Sequence, residues 1–141
     1  MYSFISIDEC DNIALLDVDD YWFPTKLENQ IPYIKEYDVV GTKCQYFGDS
    51  NMIPSIPIGD CSKFNFLKTN PIINSSCIIK KELCYWENHI LEDYKLWLEL
   101  WKKGKKFYNV NKILVKHRLH KQSAFNNSNH LKVKNLIKEY S

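Results

Sequence analysis

Glycine is scarce in this chain, at 4 of 141 residues. No G-x-G-x-x-G or P-loop pattern occurs, which excludes a Gly-rich loop cradling phosphates. No apolar run approaches the roughly 18 residues of a membrane span, so no transmembrane segment is expected. The first residues lack a basic stretch followed by an apolar one, so no signal peptide is expected either. Cysteines number 5, an odd count without any C-x-x-C, which points to neither a disulfide framework nor a zinc site. Reduced thiols and a cytoplasmic location are the simplest expectation. Charge of one sign is also lacking. The net charge is +2 and the sequence pI about 8.2, which does not suggest a nucleic-acid partner. The only local basic excess, Lys112, Lys116, Arg118 and Lys121, reads equally well as a solvated strand and loop.

An apolar content of 45% against 26% charged residues describes a globular chain of one domain, residues 1–141. Ile13 to Leu16 reads as a buried strand emerging at Asp17. A helix can begin at Pro24 and continue through Leu27, Ile31 and Ile34, with a kink or early stop at Pro32. Val39 to Phe47 suggests one or two strands ending in a Gly48-Asp49 turn, and 51–60 an irregular loop. A short helix capped by Ser62 is expected over 64–67, and a strand over 75–79. The strongest helix runs from Glu92 to Lys103 and stops at Gly104. Two strands, 107–110 and 113–115, follow. An amphipathic helix closes the chain within 126–141, with Val133, Leu136, Ile137 and Tyr140 on one face. Strands and helices alternate without repeats, so the fold class is α/β.

Asp17, Asp19 and Asp20 place three carboxylates within four residues at the end of that first strand. They repel one another unless a positive group neutralises them. In open α/β sheets the C-terminal ends of strands are where ligands bind. Asp17 and Asp19 can converge on a hard cation such as Mg²⁺ or Mn²⁺ that also takes substrate phosphates. The competing reading is a solvated acidic turn, with Asp20 or Thr25 capping the next helix. A third reading, a haloacid-dehalogenase-type phosphatase with Asp17 as nucleophile, fits poorly. Tyr21 stands where that motif has Thr or Val, and no downstream Lys precedes an acidic pair.

On the helix from Glu92, Asp93 falls in the apolar arc beside Leu96, Trp97 and Leu100, whereas Glu92 does not. A carboxylate there suits a general base. It also suits an acid placed in the first turn for the helix dipole. His117 and His120 bracket Arg118; imidazoles ligate metals and Arg pairs with pyrophosphate, though taken by itself each His reads more readily as an ordinary surface or hydrogen-bonded residue.

Together these segments resemble the family-2 glycosyltransferases, an inverting group with the GT-A fold. Residues 14–30, Ala-Leu-Leu-Asp-Val-Asp-Asp-Tyr-Trp-Phe-Pro-Thr-Lys-Leu-Glu-Asn-Gln, are similar to that family's LDxDD-x-W-x-P-x-KLE-x-Q block. Asn74 to Lys80 is similar to its acceptor-side strand, Glu92 to Leu98 to its ED-x-x-LWL helix, and Arg118 to Ser123 to its R-x-H-x-x-S segment. The resemblance implies transfer of a sugar from a nucleotide-diphospho-sugar to a glycan or other hydroxyl acceptor, with inversion. It implies that Asp17 and Asp19 contact the ribose and a divalent metal, Mn²⁺ or Mg²⁺. Asp93 would be the base, His120 a further metal or diphosphate contact, and Arg118 a contact to the donor. Trp22 and Trp97 would lie on the acceptor side. Only 16 residues precede Asp17, so an incomplete GT-A-like mixed sheet lacking the N-terminal nucleotide-binding strands is expected. Partners then include a separately supplied N-terminal half or a second copy of the chain. The alternative is a non-catalytic remnant or binding module of the same fold.

Overall fold

The computed structural model describes residues 2–5, 11–85, 92–120 and 130–141. Among these, a seven-stranded sheet and three α-helices form a mixed α/β protein. The strands are β1 (Tyr2–Ile5), β2 (Asn12–Asp17), β3 (Tyr21–Trp22), β4 (Val39–Gly48), β5 (Gly59–Asp60), β6 (Ile78–Lys80) and β7 (Phe107–Leu119). Their order is β1-β2-β6-β4-β7-β3, with β5 pairing β7 off that path. Only the β4–β7 pairing is parallel. The helices are α1 (Lys26–Gln30), α2 (Glu92–Lys102) and α3 (His130–Tyr140). No helix among the described residues is long and apolar enough to cross a membrane.

The sheet separates two cores, and the alternation of a strand shows how. Val39 and its neighbour Val40 are both buried on β4, but Val39 joins Trp97, Leu98, Phe107 and Leu136 while Val40 joins Val110 and Leu114. The first core lies under α2 and α3. There Phe66 stacks on Trp101 and meets Phe107 edge-on. The second is covered by Tyr33, Ile34 and Tyr37, which follow α1. The arc expected for α2 is the buried one: Tyr94, Leu96, Trp97, Leu98 and Leu100 are all buried. α2 ends in a Schellman motif, with Gly104 at φ +77°. Gly104 N–H donates to the Trp101 carbonyl and Lys105 N–H to that of Leu100. α3 docks through Val133, Leu136, Ile137 and Tyr140, the face expected of it. The Tyr140 hydroxyl reaches Glu99 on α2 at 2.8 Å.

The helix after Pro24 stops early at Pro32, as expected: it ends at Gln30 and tightens into a 3₁₀ turn over Ile31–Tyr33, where Pro32 withholds an N–H. Several other elements differ from the sequence expectation. No helix forms over 64–67. The Asn65 side chain accepts from Leu67 N–H in a turn of its own, and the Ser62 hydroxyl accepts from Phe107 N–H instead of capping. The strand expected from Ser75 starts only at Ile78, because Asn74–Ser76 is a 3₁₀ turn. The two late strands are one, β7, bent by an irregularity. Thr42 pairs with Val110, Lys43 with Ile113 and Cys44 with Val115, so two steps along β4 span five along β7. The exposed Asn111 and Lys112 are accommodated there without ending the strand. Of the residues 126–141 assigned to the closing helix, 126–129 lie outside the described residues.

Beside this irregularity the packing is tight. Asn109 is fully buried, and its amide N–H₂ spans the carbonyls of Pro57 and Pro71, at 2.9 Å each. A Cβ on Gly41 would come within 2.3 Å of Asn109 Oδ1. Neither Asn109 nor the two long loops can move without breaking those bonds. Gly41→Ala is therefore expected to destabilise the fold by about 1–3 kcal/mol, measured by urea denaturation. An unchanged midpoint would show that the Asn109 clamp is slack.

Candidate functional site

The site is built where β2 ends. Asp17 is the last residue of β2. Its N–H donates to Ser75 Oγ at 3.0 Å, and its Oδ1 accepts from Asn74 Nδ2 at 3.1 Å. The chain then turns tightly, with Asp20 N–H donating to the Asp17 carbonyl. Val18 and Asp19 stay exposed at the tip, whereas Asp20 is returned to the interior at 5% exposure.

Asp20 is held on all sides. Its Oδ1 accepts from Arg118 N–H at 2.9 Å, and its Oδ2 accepts from the Ser75 hydroxyl and lies 2.8 Å from His117 Nδ1. Asp17, Asp20 and His117 each offer a ligand atom within 4.8 Å of the others. A second pair sits outside them: His120 Nε2 is 2.8 Å from Asp19 Oδ2, both exposed. Two of the expected residues, Asp19 and His120, are therefore in contact across 101 positions of sequence.

Asp93, on the first turn of α2, is half-buried, and its charge bears on Asp17 and on Cys77. The expected base and the acidic cluster thus share one electrostatic neighbourhood. The guanidinium of Arg118 lies over the Phe47 ring, 4.3 Å from its centroid, and Tyr21 packs on the same ring. Trp22 is half-buried and donates its indole N–H to the Ser75 carbonyl at 2.7 Å. Trp97, on the buried face of α2, is 0% exposed in the first core and lines no open surface. Neither suggested cap acts on α1. Thr25 makes no side-chain capping bond, and the Asp20 carboxylate is engaged elsewhere.

Sequence reasoning missed the pairing of buried Asp20 with half-buried His117. One signal was present: Asp20, three residues after Asp17, closes the same turn, and a third carboxylate that folds inward needs donors. That His117 supplies one could not be read without the register of β7.

The charges sort by environment. Burial, with the Asp20 charge second, raises Asp17 to about 6. Burial also pushes Asp20 up, but bonds from His117, Ser75 and Arg118 N–H outweigh it and hold Asp20 below the ordinary 3.8. For His117, burial disfavours the imidazolium, yet the Asp20 bond and charge hold it above the ordinary 6.5. A raised imidazole stabilises the fold fully below its ordinary value and ceases to do so as pH rises through the raised one. A depressed carboxyl stabilises it above its ordinary value and ceases to as pH falls through the depressed one. The pair therefore contributes fully between 3.8 and 6.5. Asp17 opposes this, since its raised carboxyl costs stability as pH rises from 3.8 to about 6.

The donor set suits a hard divalent ion: carboxylate oxygens and an imidazole around surplus negative charge. Asn74 Oδ1 is buried beside Asp17 with no hydrogen-bond partner, a further oxygen of the same kind.

No family model matches the chain. It is 30% identical over 136 residues, 90% of its length, to the UDP-Glc:alpha-D-GlcNAc-diphosphoundecaprenol beta-1,3-glucosyltransferase WfaP of Escherichia coli. It is also 30% identical over 120 residues, 77% of its length, to the putative glycosyltransferase EpsE of Bacillus subtilis (strain 168). The chain is similar to named glycosyltransferases. It spans about half the length of these relatives, 51% and 43%.

The electrostatics give a direct test. In Asp20→Asn the burial of His117 remains but its counter-charge is gone. The imidazole titration followed by NMR is expected to move to lower pH. An unmoved midpoint would deny that Asp20 holds the ring.

Proposed function

We propose that these residues form the acceptor-side, catalytic half of an inverting glycosyltransferase of the GT-A, family-2 type. The observation that carries the reading is the meeting of Asp19 with His120 beyond the end of β2, where the charge of Asp93 also bears on Asp17. Three stretches far apart in sequence contribute to it. The similarity to two named glycosyltransferases supports the same class of reaction.

In this reading Asp17, Asp19 and His120 hold a divalent cation, Mn²⁺ or Mg²⁺. When bound, the ion neutralises charge on the leaving nucleoside diphosphate. The chain's own residues do the rest. Asp93 accepts the proton of the acceptor hydroxyl, whose oxygen attacks the anomeric carbon from the face opposite the diphosphate. Arg118, held over the Phe47 ring, offers a cation to the donor's phosphates. Because the overlap covers about half of each relative, contacts to the donor's nucleobase are assigned to a half outside these 141 residues, supplied in the same chain or by a partner.

Calorimetric titration with Mn²⁺ and a UDP-sugar tests the cation role. Asp19→Ala and His120→Ala are each expected to weaken Mn²⁺ binding by at least about tenfold. Heats identical to those of the parent protein would remove the role. Asp93→Asn, assayed for sugar transfer with the complementary half present, is expected to lose about 10²–10⁴-fold in rate while still binding Mn²⁺.

A further inference from the structure

The inner side of α1 carries a feature that the reaction chemistry does not use. Lys26 is 1% exposed and Gln30, one turn later, 0%. No carboxylate among the described residues pairs with the Lys26 ammonium. It lies 4.2 Å from the centroid of the Trp22 ring and donates to Gln30 Oε1 at 2.7 Å. Burial brings its pKa down to about 8. A buried ammonium with neutral partners is costly, and methionine would fill the same space without that cost.

Its effect is to orient an amide. A side-chain amide can present either its oxygen or its N–H₂ to a neighbour, but a cation accepts only the oxygen. With Oε1 turned to Lys26, both Nε2 hydrogens of Gln30 face the other way. They reach the carbonyls of Val40 on β4 and of Ser76, at 2.8 Å each. Ser76 is further tied by Thr42 N–H to its hydroxyl, at 3.1 Å, and by that hydroxyl to the Ile73 carbonyl, at 2.7 Å. The same ammonium grips the ring of Trp22, whose indole N–H holds the Ser75 carbonyl. The turn fixed in this way, Asn74–Ser76, bears the two side chains that hold Asp17 and Asp20.

We propose that Lys26 and Gln30 are positioning residues. Their buried ammonium–amide pair locks the Asn74–Ser76 turn, and with it the carboxylates of Asp17 and Asp20, in the geometry that receives a divalent cation beside Asp19 and His120. The inference rests on the cation reading above. Neither residue touches the ion or a substrate. The pair ties α1, β4 and the turn into one unit, so a change at Lys26 is felt at Asp17 through two intermediaries.

The test is Mn²⁺ binding followed by electron paramagnetic resonance, with the Trp22 indole N–H observed in ¹⁵N-edited NMR spectra, for the parent protein, Lys26→Met and Gln30→Glu. Gln30→Glu keeps an acceptor for Lys26 and removes both N–H donors. Both variants are expected to lose at least about tenfold in Mn²⁺ affinity in the folded form and to shift the indole resonance. Trp22→Phe, which removes the indole donor to Ser75, is expected to lose about threefold and supplies the comparison should Lys26→Met not fold. Folded variants that bind Mn²⁺ like the parent would overturn the positioning role. A parent protein that binds no Mn²⁺ would overturn the cation reading instead. The indole resonance would then still report the pair's hold on the turn, and an unmoved resonance in the variants would overturn that as well.

Discussion

The carboxylate of Asp20 is the joint on which the site is assembled. It is buried where a charge is costly, and it is tolerated because three donors converge on it from two other parts of the chain. Ser75 brings the turn before β6, while His117 and Arg118 N–H bring the end of β7. The Ser75 hydroxyl gives its proton to Asp20 and takes the N–H of Asp17, so one side chain fixes both ends of the acidic turn. With that turn pinned, Asp19 is left at its exposed tip, facing His120.

Electrostatic tension follows from the same arrangement. Asp20 is satisfied, so its charge stays in place and acts on Asp17, which is already raised by burial. A carboxyl held near 6 is sensitive to any positive group that arrives beside it. The protein thus keeps one carboxylate settled and its neighbour unsettled. Such a division is common where a charged ligand completes a site.

The parts of this structure that were legible in the sequence obey local rules. The strand ending at Asp17 declared itself by an apolar run that stops abruptly. α2 declared itself by its arc and its glycine, and α3 by its 3-4-7 spacing. What could not be read was set by distant partners. Ser62 looks like a helix cap until Phe107 claims its hydroxyl, and Ser75 looks like a strand residue until Asp17 and Asp20 do. His117 and His120 are three residues apart and read alike residue by residue, yet one is half-buried against Asp20 and the other exposed against Asp19. Pairing register decides such matters, and one chain alone does not print its register. The place of Trp97 in the apolar arc of α2 was legible, but the completeness of its burial was not.

The irregularity where β4 meets β7 bears on how this region tolerates changes of length. Side chains alternate along a strand, and the excess on β7 over those few steps is odd, so the faces of its two halves are exchanged relative to β4. Asn109 before the bend and His117 after it therefore serve opposite sides of the sheet, although an unbroken strand would put them on the same side. Loss of a single residue between 111 and 114 would leave every functional side chain in the sequence and turn His117 away from Asp20. Insertions and deletions, usually harmless at an exposed pair such as Asn111 and Lys112, would here part His117 from Asp20.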